Sequence, residues 1–394
     1  MLHSCLKTCR RRPPIPRQCR RHTSSSRPFV AGDHVILRPT KDRTAAPLLT
    51  KPLAGGARHD THRGTISHDD ILGKSVRDVV QTTAGKLAAA EYRLHDVKLE
   101  EYVRLTKRLV TPLYPQDAQL IVGLLDVHPN PPRYGEANTS HERLELLEAG
   151  TGHGALTLHL SRAVHAANAA PPRASDAVNK DDEDHVDSAA WKASRRAVIH
   201  TIEVNAKYSA HASKIVRGFR HGMYFHNVDF HVGNVSEWTS GALAERNGEP
   251  FLSHAFLDLP GTEEHLATVA KALKIDGSLI VFCPSITQIM ACFETVKREE
   301  IPLDLEKVIE LGVNGGTGGR EWDVRAVKPR AAVKATAAAG VTEDDREDSG
   351  VEVGGGDNVK PFTGDDGWKM VCRPKVGETI VGGGFLGVFR KKRT

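Results

Sequence analysis

Apolar and polar positions change period repeatedly along this chain, and the changes mark its elements. The run Leu144-Glu145-Leu146-Leu147-Glu148 ends in the glycine turn Gly150 to Gly154, which predicts a strand, a tight turn and a helix over Ala155 to Ala167. The alternation returns as strand Ala197 to Glu203, helix Ala206 to Phe219, and strands Val228 to Val232, Ala255 to Leu259 and Ser278 to Cys283. Helices over Leu266 to Leu273 and Thr287 to Glu299 lie between or after the last of these. Strands interleaved with helices build a parallel sheet covered on both faces, so the expected fold class is α/β, doubly wound.

Ahead of this pattern, Gly32-Asp33-His34-Val35-Ile36-Leu37-Arg38 predicts a strand opening a small N-terminal β domain over 29–96. Gly- and His-rich turns run through His68, with a further apolar patch at Val76 to Val80. From Lys98 the spacing of Leu99, Tyr102, Val103 and Leu109 is helical. Thr111-Pro112-Leu113-Tyr114-Pro115 breaks it, and Asp117 to Leu125 starts a second amphipathic run leading into the main domain, 97–394. Two segments, 168–190 with its acidic run Asp181-Asp182-Glu183-Asp184 and 331–367, rich in Ala, Gly, Asp and Glu, are too polar or low in complexity to pack and are expected to be disordered insertions.

Composition changes this picture at the N-terminus. With 394 residues, 39% hydrophobic and 26% charged, the chain is long enough for two or three cores, and no run of about 18 apolar residues appears. Residues 1–30 carry eight basic residues (Lys7, Arg10, Arg11, Arg12, Arg17, Arg20, Arg21, Arg27) and no acid; subtracting those eight from the overall +5 leaves −3 for the rest. An Arg-rich, acid-free stretch with Ser24, Ser25 and Ser26 has the composition of a mitochondrial transit peptide, expected over 1–28 and directing the chain to the matrix; the alternative is a basic arm that touches RNA. The six cysteines show no CxxC spacing, so neither a disulfide framework nor a zinc site is indicated, and a metal at His59, His62 and His68 is less expected than a satisfied turn or an RNA-facing surface.

The candidate chemistry centres on Glu148-Ala149-Gly150-Thr151-Gly152-His153-Gly154. Glycines let the backbone turn sharply and pass close to a ligand, and the helix start behind them offers unpaired N–H groups. Gly150, Gly152 and Ala155 satisfy a loose dinucleotide pattern, but S-adenosylmethionine fits such a loop equally well; Glu203, ending the second strand, suits the ribose of either ligand. Phe256-Leu257-Asp258-Leu259-Pro260 then puts a carboxylate at the carboxyl edge of the sheet, to be read either as a catalytic group or as a helix N-cap. No Tyr–Lys pair or relay His stands near it to suggest hydride transfer.

Taken in order, these segments resemble the tRNA adenine-58 N1-methyltransferases of bacterial and mitochondrial type, over Gly32 to about Pro329 and again near the C-terminus. The resemblance rests on Arg63-Gly64-Thr65-Ile66-Ser67-His68, on Leu99-Glu100-Glu101-Tyr102 and Thr111 to Asp117, and on the glycine loop. It continues through Ile202-Glu203, Leu257-Asp258-Leu259-Pro260, Ile286-Thr287-Gln288, Arg320-Glu321-Trp322-Asp323-Val324-Arg325 and Gly384-Phe385-Leu386-Gly387-Val388. It implies a class I, Rossmann-like methyltransferase domain using S-adenosylmethionine, with tRNA as substrate and no membrane partner.

Carried over residue by residue, the resemblance implies that Glu148, Ala149, Gly150, Thr151, Gly152, His153 and Gly154 line the cofactor and that Glu203 holds its ribose. Leu113, Tyr114 and Tyr208 would cover it, Asn234 and Val235 would flank its adenine, and Asp258 would both touch it and serve as the catalytic group. The chain departs from the pattern at His153, where the family usually has Ser, and at Asn234, where many members have Asp. A homotetramer is implied; the alternatives are the catalytic half of a heterotetramer with an inactive paralogue, or a non-catalytic RNA-binding protein that kept the fold.

Overall fold

The computed structural model describes residues 27–41, 45–83, 89–111, 113–130, 142–169, 189–312, 320–327, 369–374 and 383–393. The expected transit peptide (apart from its last two residues), nearly all of the 168–190 insertion and the whole of 331–367 lie outside them. The chain divides into two compact units, one through Asp96 and one from Val97.

The first unit is a four-stranded antiparallel sheet, β2 (Leu48–Leu49), β1 (Val35–Pro39), β6 (Glu91–Asp96) and β5 (Val79–Gln81) in that order, with a separate hairpin of β3 (Arg58–Thr61) and β4 (Gly64–Ser67). Alternation decides which face is buried: Tyr92 and Leu94 of β6 turn inward beside Val35 and Leu37, closing on Phe29, Leu53, Ile66 and Ile71. His68 is buried, and its Nδ1 accepts the Ala54 N–H, which makes it part of a turn.

The second unit carries a nine-stranded sheet. Its parallel part is ordered β9 (Val228–Val232), β8 (Ala197–Glu203), β7 (Leu144–Ala149), β10 (Leu252–Leu257), β11 (Leu273–Cys283). The chain steps outward from β7 to β8 to β9, then returns to lay β10 and β11 on the other side. The strand order therefore reverses between β7 and β10, the place where open α/β sheets bind ligands. All seven residues of β8 are buried, as a strand covered on both faces must be. Beyond β11 the order continues β15 (Phe385–Lys391), β12 (Leu303–Glu310), β13 (Arg320–Val327), β14 (Lys369–Pro374), with β15 antiparallel to both neighbours.

The helices are α1 (Leu99–Leu105), α2 (Pro115–Leu125), α3 (Ala155–Val164), α4 (Ala189–Ser194), α5 (Ala206–Gly218), α6 (Val235–Glu245), α7 (Leu266–Ala272) and α8 (Ile286–Arg298). Several details differ from the sequence expectation, among them β11, which starts at Leu273 and not Ser278, and α4, which starts at Ala189 inside the expected 168–190 insertion. Helix α6 and strand β12 were not expected at all. Strand β10 begins at Leu252 and ends at Leu257, so Asp258 stands just past the strand. Asn168 is tied down: its Oδ1 accepts the Arg196 and Ala197 N–H groups and its Nδ2 donates to the Ala197 carbonyl and to Asn227. The basic run Arg390-Lys391-Lys392-Arg393 is engaged at three of its four residues: Arg390 pairs with Glu306 at 3.0 Å, Lys391 reaches the Ala270 carbonyl and Lys392 meets Asp304 at 3.0 Å.

Candidate active site

The glycine loop leaves β7 at the switch point and turns into α3. Gly150, Gly152 and Gly154 all have positive φ, at 89°, 54° and 80°. Gly150 is the most constrained, because a β-carbon there would lie 2.0 Å from the Asp258 carbonyl oxygen. The contact is reinforced from the other side by the Asp258 N–H, which donates to the Ala149 carbonyl at 2.8 Å. The loop and the end of β10 are thus one clamped unit.

Below the loop lies a buried polar chain. The Glu148 carboxylate accepts from the Thr157 hydroxyl at 2.6 Å and the Thr201 hydroxyl at 2.7 Å, and Thr201 in turn sits 2.7 Å from the Thr151 hydroxyl. Since Thr201 gives its proton to Glu148, Thr151 must be the donor to Thr201. Burial pushes the Glu148 carboxyl up to about 7, against the opposing pull of the two threonine hydroxyls. Glu148 is therefore a support beneath the loop, with no surface open to a ligand.

Glu203 closes the other side. Its carboxylate accepts the Gly152 N–H and the Asn205 N–H, each at 3.1 Å, leaving each oxygen a further lone pair for ligand hydroxyls. Val204 follows it with 72% of its surface exposed, an apolar platform beside a hydroxyl-binding carboxylate. The sequence reading passed over Val204; an apolar residue directly after a strand-ending acid was its only signal. The carboxylate and this platform together fit an adenosyl ligand.

Asp258 completes the group. Burial raises its carboxyl to about 6, and the nearby Glu203 charge adds to the rise. It is not a helix N-cap: the next helical turn is the 3-10 turn Thr262–His265, whose cap position is Gly261. Among the described residues, the Asp258 carboxylate has no hydrogen-bond or ion-pair partner.

The remaining expected residues are less tightly gathered. His153 turns away into the protein: its Nε2 lies 3.0 Å from the Thr106 hydroxyl, its ring leans on His211 at 5.7 Å, and burial lowers it to about 4, so it is neutral. Its bulk is absorbed between α1 and α5. Asn234 caps α6, its carboxamide oxygen accepting the Ser236 and Glu237 N–H groups, and Val235 is buried behind it. Tyr114 caps α2 and is 37% exposed, Leu113 precedes it, and Tyr208 stands half-buried in the first turn of α5. Gln288 completes a capping box with Ser285 at the start of α8.

Residues 28–80 match the TrmI-like N-terminal family. The chain is 32% identical over 286 residues to the tRNA (adenine(58)-N(1))-methyltransferase TrmI of Thermus thermophilus, in each of two strains, covering 72% of this chain and 86% of that protein. Among solved structures it is similar to a SAM-dependent O-methyltransferase from Thermotoga maritima, with a TM-score of 0.53 at 17% identity over 93% of this chain and 95% of that one. A likeness at that identity speaks for the fold.

Proposed function

The chain belongs to the tRNA (adenine-58-N1)-methyltransferase family, and from that premise we propose that it methylates N1 of adenine 58 in the T-loop of tRNA, using S-adenosylmethionine. The observation that carries the reading is Asp258: a partly desolvated carboxylate, without a hydrogen-bond or ion-pair partner among the described residues, clamped to the glycine loop at the sheet's switch point.

S-adenosylmethionine supplies, when bound, an electrophilic methyl group. Gly150, Thr151 and Gly152 are the residues to hold its methionine part, Glu203 its ribose hydroxyls and Val204 its adenine. Adenine N1 is a weak nucleophile and becomes cationic on methylation, so an acceptor at the N6 amino group lowers the barrier. Asp258 is that acceptor. With its carboxyl raised to about 6 it is ionised at neutral pH yet basic enough to take the N6 proton. The target base must first leave its stack, and we assign the half-exposed Tyr114 to receive or cover it.

The mitochondrial matrix as location rests on the acid-free, Arg-rich residues 1–28. The homotetramer is the assembly that the family resemblance implies. One experiment tests the activity and the assembly together: methyl transfer from labelled S-adenosylmethionine to unmodified tRNA by the chain beginning at residue 29, with nucleoside analysis and a mass measurement. N1-methyladenosine from the purified chain alone, lost in Asp258→Ala with cofactor binding retained, supports the self-sufficient enzyme. Cofactor binding without transfer points to a catalytic subunit missing its paralogue, and failure to bind cofactor overturns the enzyme reading.

A further inference from the structure

Between Val204 and Val228 the chain has no Asp or Glu, against Lys207, Lys214, Arg217 and Arg220. Lys207, Lys214 and Arg217 are spaced by seven and three on α5, which sets them along one side of the helix, and all four cations are exposed. The segment 97–111 packs against the same helix. The Tyr102 hydroxyl donates to the Ile215 carbonyl, the Tyr102 ring meets Phe219 edge-on, and His211 bonds the Lys107 carbonyl. That segment adds Lys98, Arg104, Lys107 and Arg108, all exposed, against two acids, Glu100 and the buried Glu101.

None of these eight cations has an ion-pair partner among the described residues. Elsewhere in the same unit cations do find carboxylates: Arg195 with Asp229, Arg246 with Glu145, Arg390 with Glu306, Lys392 with Asp304. Arg217 lies over the Phe225 ring at 4.0 Å, and Arg220 over Phe219 at 5.7 Å while donating to the Val97 carbonyl. Rings and a carbonyl orient these heads without neutralising them. A concentration of like charge works against folding, and it stands here on a chain whose residues beyond the first thirty sum to −3. The face also borders the cofactor loop, through the Thr106–His153 bond and through Val110, which stands 3.5 Å from where a Gly152 β-carbon would be.

We propose that this face, formed by α5 and residues 98–108, grips the phosphodiester backbone of the RNA substrate beside the cleft. The inference rests on the RNA-methyltransferase reading and extends it to a particular surface. Phosphate contacts bind with little regard to base sequence and leave a salt signature, affinity falling with log[salt] by about 0.7–0.9 per neutralised phosphate.

The test compares the wild-type chain with a fourfold charge reversal, Arg104→Glu, Lys107→Glu, Lys207→Glu and Lys214→Glu. A milder pair, Lys207→Gln with Lys214→Gln, and a control on other elements, Lys271→Glu with Lys307→Glu, complete the set. Each is measured for tRNA affinity between 50 and 200 mM KCl, for S-adenosylmethionine affinity and for solution mass, the salt range being about that over which counterion release is large. We expect the fourfold variant to lose about 100-fold or more in tRNA affinity, with a salt slope shallower by about 3. The neutralised pair should lose about tenfold, with cofactor binding, mass and the control unchanged. If the fourfold variant also loses cofactor binding, the neutralised pair decides. Unchanged tRNA affinity and slope, or a changed mass showing that the face joins protein copies, overturns the proposal. Wild-type protein that fails to bind S-adenosylmethionine overturns the functional reading instead.

Discussion

A β-carbon on Gly150 would stand 2.0 Å from the carbonyl oxygen of Asp258, so the glycine turn and the residue proposed to act on the base are in contact through their backbones. Gly150→Ala therefore forces β7 and β10 apart at the switch point. The variant is expected to lose cofactor affinity by at least about tenfold and to unfold at lower temperature, since its φ of 89° is also unfavourable for alanine. Calorimetric titration and a thermal melt check both.

The role proposed for Asp258 ties activity to pH. Its carboxyl is raised from 3.8 to about 6, so kcat/KM should climb as pH rises through about 6 and level off above it. Asp258→Asn should remove that limb and about 10²–10⁴ of the rate.

The same residue sets a stability trade-off. A carboxyl whose value is raised on folding costs nothing below its ordinary 3.8, and the full penalty of the buried charge appears above about 6. Asp258→Asn is thus expected to be more stable than wild type at pH 7.5, by about 1 kcal/mol, with the gain fading towards pH 4. Chemical denaturation at the two pH values reads the difference.

Thr201→Val cuts the chain that runs from Thr151 through Thr201 to Glu148. It leaves Glu148 with one hydroxyl donor and Thr151 without an acceptor there, at a cost of about 1–3 kcal/mol and a looser glycine loop. Cofactor affinity should fall while kcat at saturation changes little.

Deleting 170–188 while keeping Asn168 and α4 should preserve activity. Extending the deletion through Asn168 should not, because its side chain serves the start of β8. Paired melts and methylation assays separate the two deletions.

How much of this was legible beforehand differs from element to element. Strands β8 and β9 were read to the residue because the first is a short, mostly apolar run and the second alternates Val228, Phe230 and Val232 with polar residues. Helix α6 was not, since Val235–Glu245 mixes Trp, Ser, Thr and Gly, and its strongest start signal, Asn234, had been assigned to a ligand. Strand β12 was missed because Leu303–Glu310 intersperses charges that its neighbours alone make sense of. The site's carboxylates were visible from their places at strand ends. Their supports were not: Thr201 meets Glu148 across 53 positions, a pairing that only the sheet register creates. The acid-free stretch after Val204 is plain in the chain, but nothing in it announces that residues 98–108 complete the face.

Strand β15 lies between β11 and β12, bonded to both, although it is the last strand described along the chain. A ribosome, or an import channel passing the chain N-terminus first, delivers the five parallel strands long before the piece that fills the sheet's interior. Until Phe385–Lys391 arrives, β11 and β12 each present an unpaired edge. The nine-stranded sheet is therefore completed late, and a chain ending before Phe385 would keep its entire glycine loop yet lose Phe385, Leu386, Val388 and Phe389 from the core. Quality-control proteases would meet such a product as an open sheet.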